Sequence, residues 1–296
     1  MAAAGSRHGV AVLALTLALA VAAASLYAWQ WPVEDGVLST TFGQLHYGDF
    51  SHGVIISGGA EYVYPASDGE LVFRFDGSRF SHPLGNFIVL HHEGGFRTVY
   101  ANLAQLDNGP QQRLLSGSQP LARVGSSGYA LGPQTIFQII DEELDAFVNP
   151  LLILPERPDA RNPVLDAIVL EYNGEQQQAA EQTLISAEGS VRLLAELYDP
   201  SAEAAFLQIL APYEVVVAQD ERELRRIVFE TVQGRDGRLL LGGSHTADQL
   251  YRGDRLVDLG TIEVSDEPST VRIRVRDFSG NAVQRSITVQ SVHQEM

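Results

Sequence analysis

From residue 31 onward, the chain consists of short strand-forming runs that are broken at close intervals by glycine-containing turns. Residues 86–92 and 96–101, for example, are two such runs separated by a turn with two glycines. Two strand-forming runs joined in this way are typical of a β-hairpin. Only residues 201–210 have helical spacing, and that segment is short. The pattern therefore predicts an all-β protein.

A change of composition at residues 155–163 divides the chain. This segment holds three prolines and four charged residues within nine positions, and proline cannot continue a strand ladder. A chain of 296 residues is long enough for about two domains. We therefore predict a first domain at 31–154, a linker at 155–163 and a second domain at 164–296.

Beyond this linker, strand-forming runs recur at turn-marked intervals, which is typical of a β-sandwich. The turn at 276–281, which lies between the last two runs, resembles the closing hairpin of bacterial Ig-like modules. That resemblance implies an Ig-like β-sandwich as the second domain. The seven predicted strands are 167–172, 190–198, 213–218, 224–231, 260–264, 270–276 and 284–289.

The N-terminal segment predicts export from the cytoplasm. A basic residue precedes an uncharged apolar run at 10–24, whose last three positions are alanine and suit cleavage before Ser25. If the run continues to Trp29, it contains about 20 apolar residues, enough to span a bilayer. We expect residues 1–24 to be either a cleaved signal peptide or an N-terminal anchor. Both interpretations place the remaining chain in the periplasm or cell envelope.

Charge and composition exclude several kinds of chemistry. Acidic residues outnumber basic ones 37 to 20, and a surface with a net charge of −17 repels nucleic-acid phosphates and anionic lipid headgroups. The chain has no cysteine, and all twenty basic residues are arginine. Disulfides, thiolate zinc sites, cysteine nucleophiles and lysine Schiff bases are therefore excluded. Histidine, aspartate and glutamate remain as the strong metal ligands.

An ordered series of short motifs in the first domain carries a family resemblance. The motifs are Trp31-Pro32-Val33, Thr41-Phe42-Gly43, residues 63–72, residues 84–92, residues 98–103, residues 124–129 with Gly132-Pro133, and Asn149-Pro150-Leu151. In this order, across about 120 residues, they resemble the LytM or lysostaphin-like zinc endopeptidase domain of cell-wall hydrolases. The resemblance implies a β-sheet domain with an open groove.

The family's catalytic residues are substituted throughout this sequence. The family holds one zinc with a His and an Asp four residues apart and the second His of a His-x-His pair, and two further His residues handle the proton and the oxyanion. The ligand positions fall on Ser51, Ile55 and Ile136, with His52 one place out of register. The remaining family positions are Tyr100, Asn102, which replaces a catalytic His, Gln134, which replaces the other, and Gln138, which replaces a Glu.

These substitutions predict a degenerate domain with no metal and no catalytic residue. Isoleucine cannot bind zinc, and the neutral amides of Asn and Gln neither ionise nor bind zinc well. The resemblance implies instead a groove, lined by the eight substituted positions, whose floor is neutral and polar.

Three hypotheses about function remain open at this point. The first is an exported, non-catalytic LytM-like protein that binds peptidoglycan or regulates a separate cell-wall hydrolase, a role that the resemblance implies for degenerate members. The second is an active zinc endopeptidase whose ligands are displaced to His46, Asp49 and His52, which lie three apart in one loop. The third is an envelope scaffold that contacts other envelope proteins. Metal content separates the first two, and muropeptide binding separates the first from the third.

Overall fold

The computed structural model describes residues 29–78, 80–106, 112–200, 209–253 and 255–292. Within these ranges nearly all regular structure is strand, apart from a 3-10 helix at Pro150–Leu152 and one short helix, α1, at Ala247–Leu250. The predicted all-β class is confirmed. Among the described residues, no helix has the length and apolar character needed to cross a membrane. The predicted leader or anchor at 1–24 lies outside the described residues.

The first domain is built on one twisted antiparallel sheet. Its described strands are β1 (Val37–Thr40), β2 (Leu45–His46), β3 (Asp49–Phe50), β4 (Val54–Ser57), β5 (Tyr62–Val63), β6 (Gly69–Phe75), β7 (Asn86–His92), β8 (Phe96–Leu103), β9 (Leu114–Leu115), β10 (Ala122–Arg123), β11 (Gln134–Asp141) and β12 (Ala146–Val148). The main sheet runs β12-β11-β8-β7-β6-β9, and β4, which also pairs with β1, joins the first half of β11. The hairpin β2–β3 and the pair β5–β10 lie outside this sheet.

Strand alternation in β11 separates the core of this domain from its groove. Successive side chains of a strand point to opposite faces. Phe137 and Ile139 are fully buried in the hydrophobic core of the first domain, whereas Gln134, Ile136 and Gln138 line a groove on the other face of the sheet. Burial of each large apolar side chain contributes about 1.5–3 kcal/mol. The apolar set therefore fixes which face of β11 is presented to the groove.

Two five-stranded sheets form the second domain around a shared core. Its described strands are β13 (Val164–Tyr172), β14 (Glu175–Gln178), β15 (Gln182–Ile185), β16 (Gly189–Pro200), β17 (Ile209–Leu210), β18 (Glu214–Gln219), β19 (Arg222–Val228), β20 (Thr231–Arg235), β21 (Arg238–Leu241), β22 (Leu256–Val264), β23 (Ser269–Arg276) and β24 (Ala282–Ser291). One sheet joins β14, β13, β16, β17 and β22, and the other runs β15-β24-β23-β18-β19. All seven predicted strands are present, and a β-rich second domain is confirmed. Its Ig-like assignment stays a prediction.

The structure describes the last two residues of the segment with helical spacing at 201–210. Residues 201–208 lie outside the described residues, but Ile209–Leu210 form β17 and pair with Asp199 and Pro200 at the end of β16. Leu210 is buried in this position. Cross-strand pairing and burial therefore outweigh the local spacing, as expected for a short segment whose intrinsic helix preference is weak.

A hairpin from the second domain extends the sheet of the first. In β20, Val232 lies opposite Phe147 of β12, and β20 in turn pairs with β21. Asn149 reinforces this join, because its Nδ2 donates to the Phe229 carbonyl at 2.7 Å and its backbone N–H donates to the Glu230 carbonyl at 2.8 Å. Residues 155–163 have no regular secondary structure. The predicted linker therefore separates two stretches of chain that share one sheet.

Apolar packing follows the same junction. Phe42 and Phe50, from the first domain, lie in the core of the second domain together with Phe229. Gly43 has a φ of +74°, and a Cβ there would lie 2.6 Å from the Phe229 ring, so both the backbone and the packing require glycine. Tyr251 Oη donates to the Gly43 carbonyl at 2.9 Å. The two domains therefore share packed side chains as well as strands.

Replacing Phe229 by Ala should destabilise the protein by about 3–5 kcal/mol, because its ring is fully buried where the domains meet. Calorimetry should show one unfolding transition for the wild type and one at lower temperature for Phe229→Ala. Phe80→Ala is the matched control, since that ring is 74% exposed and its removal should change the free energy of unfolding by less than about 0.5 kcal/mol. Two separate transitions in the wild type would contradict a shared core.

Candidate functional site

A groove of about 250 Å³ lies on the face of the first sheet opposite its core. Strands β4 and β11 form its floor, and the β2–β3 hairpin forms one wall. Its lining residues are His46, Tyr47, Asp49, Phe50, Ser51, His52, Ile55, Pro83, Leu84, Asn102, Tyr129, Gln134, Ile136 and Gln138. The structure thus brings together seven of the eight sequence-predicted site residues, and Tyr100 is the exception.

The three positions that correspond to the family's zinc ligands meet at this groove. Ile55 of β4 and Ile136 of β11 lie directly opposite each other in register, which places their Cβ atoms about 4.5–5.5 Å apart. Ser51 precedes β4, and its Oγ donates to the Gly53 carbonyl at 2.9 Å. Zinc requires imidazole, thiolate or carboxylate donors. Two apolar side chains and one hydroxyl do not fit a zinc ion at this position.

The alternative ligands, His46, Asp49 and His52, line the groove without forming a compact ligand set. Among the residues that the structure describes, the one group of three potential ligands with atoms within 4.8 Å of one another lies elsewhere. Asp49 Oδ1 instead accepts a hydrogen bond from the Phe50 N–H at 2.8 Å. Such a site would need rearrangement of the β2–β3 hairpin.

His52 has an unsatisfied nitrogen beside the groove. Its ring stacks on Phe147 with centroids 4.8 Å apart, and its Nε2 is buried without a hydrogen-bond partner. Burial lowers the pKa of His52, the nearby His46 lowers it further, and Asp49 opposes both effects. The ring is therefore neutral at pH 7 and presents one donor or acceptor rather than a charge.

Asn102 holds two loops and the groove floor together. Its Nδ2 donates to the Ser127 carbonyl at 2.8 Å and to the Leu84 carbonyl at 3.3 Å, and its Oδ1 accepts from Gln134 Nε2 at 3.1 Å. The side chain is almost fully buried, with 1% of the residue exposed. All of its donors and its acceptor have partners, so Asn102 maintains the shape of the groove.

The prediction that Tyr100 lies in the groove is wrong. Simple alternation would place Tyr100 and Asn102 on one face of β8. Asn102, however, has a φ of +58°, and the β7–β8 register shifts at this point, as in a β-bulge that redirects a side chain. Tyr100 is consequently fully buried in the core, where its Oη accepts from the Ala66 N–H at 2.7 Å. Burial raises the pKa of this phenol, so it stays protonated.

Two tyrosines that the sequence analysis did not select form the lip of the groove. Tyr47 and Tyr129 are 71% and 63% exposed. Tyr47 Oη donates to the Tyr129 carbonyl at 3.2 Å, and the two rings lie edge to face with centroids 6.4 Å apart. The sequence does offer a signal for Tyr129, because it is an aromatic residue directly after the glycine turn at 125–128. Exposed rings beside a polar floor provide apolar contact area for a ligand.

The second domain supports the wall that carries Tyr47. Gln44, at the start of this wall, donates from Nε2 to the Ile209 carbonyl at 2.8 Å. At the other end of the hairpin, the Phe50 ring lies 6.1 Å from the Tyr251 ring. Contacts with the second domain therefore help to hold one wall of the groove in place.

The first domain is an antiparallel sheet with an open groove, as the resemblance to the LytM-like family implies, and the positions that correspond to the family's zinc ligands converge there but hold Ser51, Ile55 and Ile136. In agreement, residues 49–150 match the model of Peptidase family M23. A second family model matches residues 162–292. Residues 49–150 are therefore similar to Peptidase family M23, and a second, β-rich domain follows them.

Several solved structures are similar to part of the chain. The SpoIIQ–SpoIIIAH pore-forming complex includes a chain 20% identical to this one, with 44% of this chain and 92% of that chain covered at a TM-score of 0.37. The lysostaphin catalytic domain from Staphylococcus simulans is 24% identical to this chain, with 34% of this chain and 77% of that chain covered at a TM-score of 0.30. A zinc-containing peptidase from Vibrio cholerae is 22% identical, with 38% of this chain and 36% of that chain covered at a TM-score of 0.32. Likenesses at these scores carry no functional argument. Among curated proteins, none matches the chain.

Asn102→Ala should destabilise the protein by about 2–4 kcal/mol, because it leaves buried carbonyl groups unpaired and places Ala at a positive φ. Asn173→Ala is the matched control, since Asn173 has a similar φ of +51° in an exposed turn. Urea titration should give a loss of only about 1 kcal/mol for that control. Equal losses for the two variants would show that the hydrogen bonds of Asn102 contribute nothing.

Proposed function

We propose that this protein is an exported, non-catalytic LytM-like protein whose groove binds a peptide portion of peptidoglycan at the cell wall. The observation that carries the proposal is the Ile55–Ile136 pair in the groove floor, where the family has two zinc ligands. Export rests on the predicted leader at 1–24 and on the resemblance to cell-wall hydrolases. The same groove would serve a regulatory protein that docks on a separate wall hydrolase.

The loss of the metal position argues against hydrolysis by this groove. A zinc ion lowers the pKa of its bound water from about 15.7 to about 7. At 1.36 kcal/mol per pKa unit, that activation corresponds to about 12 kcal/mol of nucleophile preparation. Gln134 and Gln138 are neutral amides and do not replace it, and the Asn102 side chain is fully engaged within the protein.

The groove chemistry suits an amide-rich ligand. Gln134 and Gln138 offer amide donors and acceptors, while Tyr47 and Tyr129 offer apolar ring faces at the lip. Peptidoglycan stem peptides and acetamido sugars present amide groups that match such a floor. A ligand that reaches the buried His52 Nε2 would also pair with it and would remove the free-energy cost of leaving that atom without a partner.

A second candidate function is an active zinc endopeptidase with displaced ligands. The unsatisfied Nε2 of His52 favours it, because a metal ion would also satisfy that atom. It requires His46 and Asp49 to move towards His52 and form a ligand set that the present hairpin geometry lacks. Zinc content separates this candidate from the proposed binding function.

The wild-type protein, expressed as residues 25–296, should bind less than about 0.1 equivalent of zinc and should release no fragments from purified peptidoglycan, because Ile55 and Ile136 supply no donor atoms. Mass spectrometry of the metal content and a dye-release assay measure both properties. The triple variant Ser51→His, Ile55→Asp, Ile136→His restores the family's ligand types and serves as the positive control for zinc detection. Near one equivalent of zinc in the wild type, with hydrolysis that a chelator abolishes, would overturn the proposal.

Tyr129→Ala should weaken binding to a soluble muropeptide about five- to tenfold, because it removes one ring from the lip and leaves the core intact. Isothermal titration measures the dissociation constant, and the melting temperature checks the fold. Leu184→Ala, on an exposed position of β15 in the second domain, is the control and should bind like the wild type. No muropeptide binding by the wild type, or equal affinity in Tyr129→Ala, would contradict the groove as the binding site.

A further inference from the structure

Three carboxylates from distant parts of the sequence meet at the junction of the two domains. Asp159 lies in the linker, Asp199 near the end of β16, and Asp277 directly after β23. One carboxylate oxygen from each residue lies within 4.8 Å of the other two. Three oxygen atoms whose pairwise distances are at most 4.8 Å all lie within about 2.8 Å of a common centre. This distance is close to the 2.3–2.6 Å of a calcium–oxygen bond.

Asp199 is the central observation, because its carboxylate is buried and unsatisfied. The residue is 7% exposed, and its Oδ1 has no hydrogen-bond partner. A buried carboxylate oxygen without a donor loses its hydration and gains no hydrogen bond in return, which destabilises the folded protein. The unsatisfied oxygen belongs to the same carboxylate that faces Asp159 and Asp277. A bound ligand that takes up a lone pair of this oxygen, such as a cation, would remove this destabilisation.

The other two carboxylates are held in place by the backbone and by Asn281. Asp277 Oδ1 accepts from the Asn281 N–H and its Oδ2 from Asn281 Nδ2, both at 2.8 Å. The same Nδ2 donates to the Asp159 carbonyl at 3.1 Å, and Asp159 Oδ1 accepts from the Arg161 N–H at 2.8 Å. Each of these oxygens keeps a second lone pair. The cluster is therefore positioned before any ligand arrives.

The local charges around Asp199 are repulsive. Burial raises the pKa of Asp199, and together with the negative charges of Asp277 and Asp159 it brings that pKa to about 8. Burial also raises the pKa of Asp277, with Asp159 adding to it and hydrogen bonds from Asn281 opposing it. The carboxylates of Asp277 and Asp159 therefore both disfavour ionisation of Asp199. A cation placed among the three oxygens would reverse this repulsion.

We infer that Asp159, Asp199 and Asp277 form a binding site for a hard divalent cation, with Ca²⁺ as the preferred ion. The donors are all oxygen, which suits Ca²⁺ or Mg²⁺ rather than zinc or copper. A small cavity of about 90 Å³ adjoins Asp159 and Asp199 and gives room for water ligands. This inference does not depend on the proposed function of the groove.

Calcium fits these oxygens better than magnesium does. Magnesium demands nearly ideal octahedral geometry at 2.0–2.1 Å, whereas calcium accepts irregular sets of six to eight oxygens at longer distances. The Asp277 carboxylate is fixed on both oxygens by Asn281, so it cannot rotate freely to satisfy a strict geometry. Three carboxylates from separate segments, completed by water, correspond to the sites of extracellular modules that bind calcium with dissociation constants of about 0.1–1 mM.

The ion would clamp the linker onto the second domain. Asp159 is the linker residue of the cluster, and the adjoining cavity is lined by Trp31 and Leu38 of the first domain and Phe278 of the second. Arg157 stacks on Trp31, with its guanidinium carbon 3.6 Å from the ring centroid. Calcium should therefore reduce the rate at which a protease cuts the linker after Arg161.

The test uses residues 25–296, first stripped with a chelator and then titrated with CaCl2 or MgCl2. We expect 5 mM Ca²⁺ to raise the melting temperature by at least about 2 °C and to slow tryptic cleavage after Arg161 severalfold. The same concentration of Mg²⁺ should have a smaller effect on both. No response to Ca²⁺ in either measurement would overturn the site, and a larger response to Mg²⁺ would overturn the choice of ion.

Asp199→Asn separates an ion site from an ordinary buried carboxylate. In chelator this variant should melt at the wild-type temperature or higher, because it removes a buried carboxyl group whose ionised form is disfavoured by burial and by its acidic neighbours, and it should lose the Ca²⁺ response. Asp266→Asn, at an exposed turn, is the matched control and should keep the full response. If Asp199→Asn does not fold, Asp277→Asn gives the same readout. A variant that folds and keeps the full Ca²⁺ response would contradict the assignment.

Discussion

The antiparallel pairing of β11 with three other strands is the constraint on which the rest of the structure depends. β11 pairs with β8 along one edge and with β4 and then β12 along the other. Its alternation places Phe137 in the core and Ile136 in the groove floor, and a slip of one residue would exchange the two faces. Through β12 the same ladder continues into β20 of the second domain. One strand register therefore fixes the core, the groove and the junction.

The groove and the domain junction differ in the ionisable side chains that they hold. In the groove, the positions that correspond to the family's zinc ligands are filled by Ser51, Ile55 and Ile136, and none of these three side chains carries a charge. A carboxylate kept there without its ion would bear a desolvation penalty of several kcal/mol. At the junction, Asp199 keeps its carboxylate beside two others. Retention of charge at one site and its removal at the other is the pattern expected if only the junction binds a cation.

Sequence reasoning predicted the features that depend on strand alternation and ordered motifs. It predicted the all-β class and a groove that Gln134, Ile136 and Gln138 help to line. It placed Tyr100 wrongly, because the positive φ of Asn102 is a local backbone choice that no periodic pattern reveals. It did not select the carboxylate cluster, since Asp159 and Asp277 are far apart in sequence and meet only through tertiary structure. It also did not predict that β20 extends the first sheet, because β12 and β20 are far apart in sequence and meet only in the folded structure.

A continuous set of contacts joins the carboxylate cluster to the wall of the groove. Asp199 pairs with Leu210 in β17, and the neighbouring Ile209 carbonyl accepts the hydrogen bond from Gln44 at the start of the wall. On the other side of Leu210, the Ala211 N–H donates to Thr41 Oγ1 at 2.8 Å. Closely packed elements of this kind move as units rather than deform continuously. The position of the wall that carries the groove's aromatic lip is therefore a property of both domains, and the first domain alone would lack the contacts that hold it.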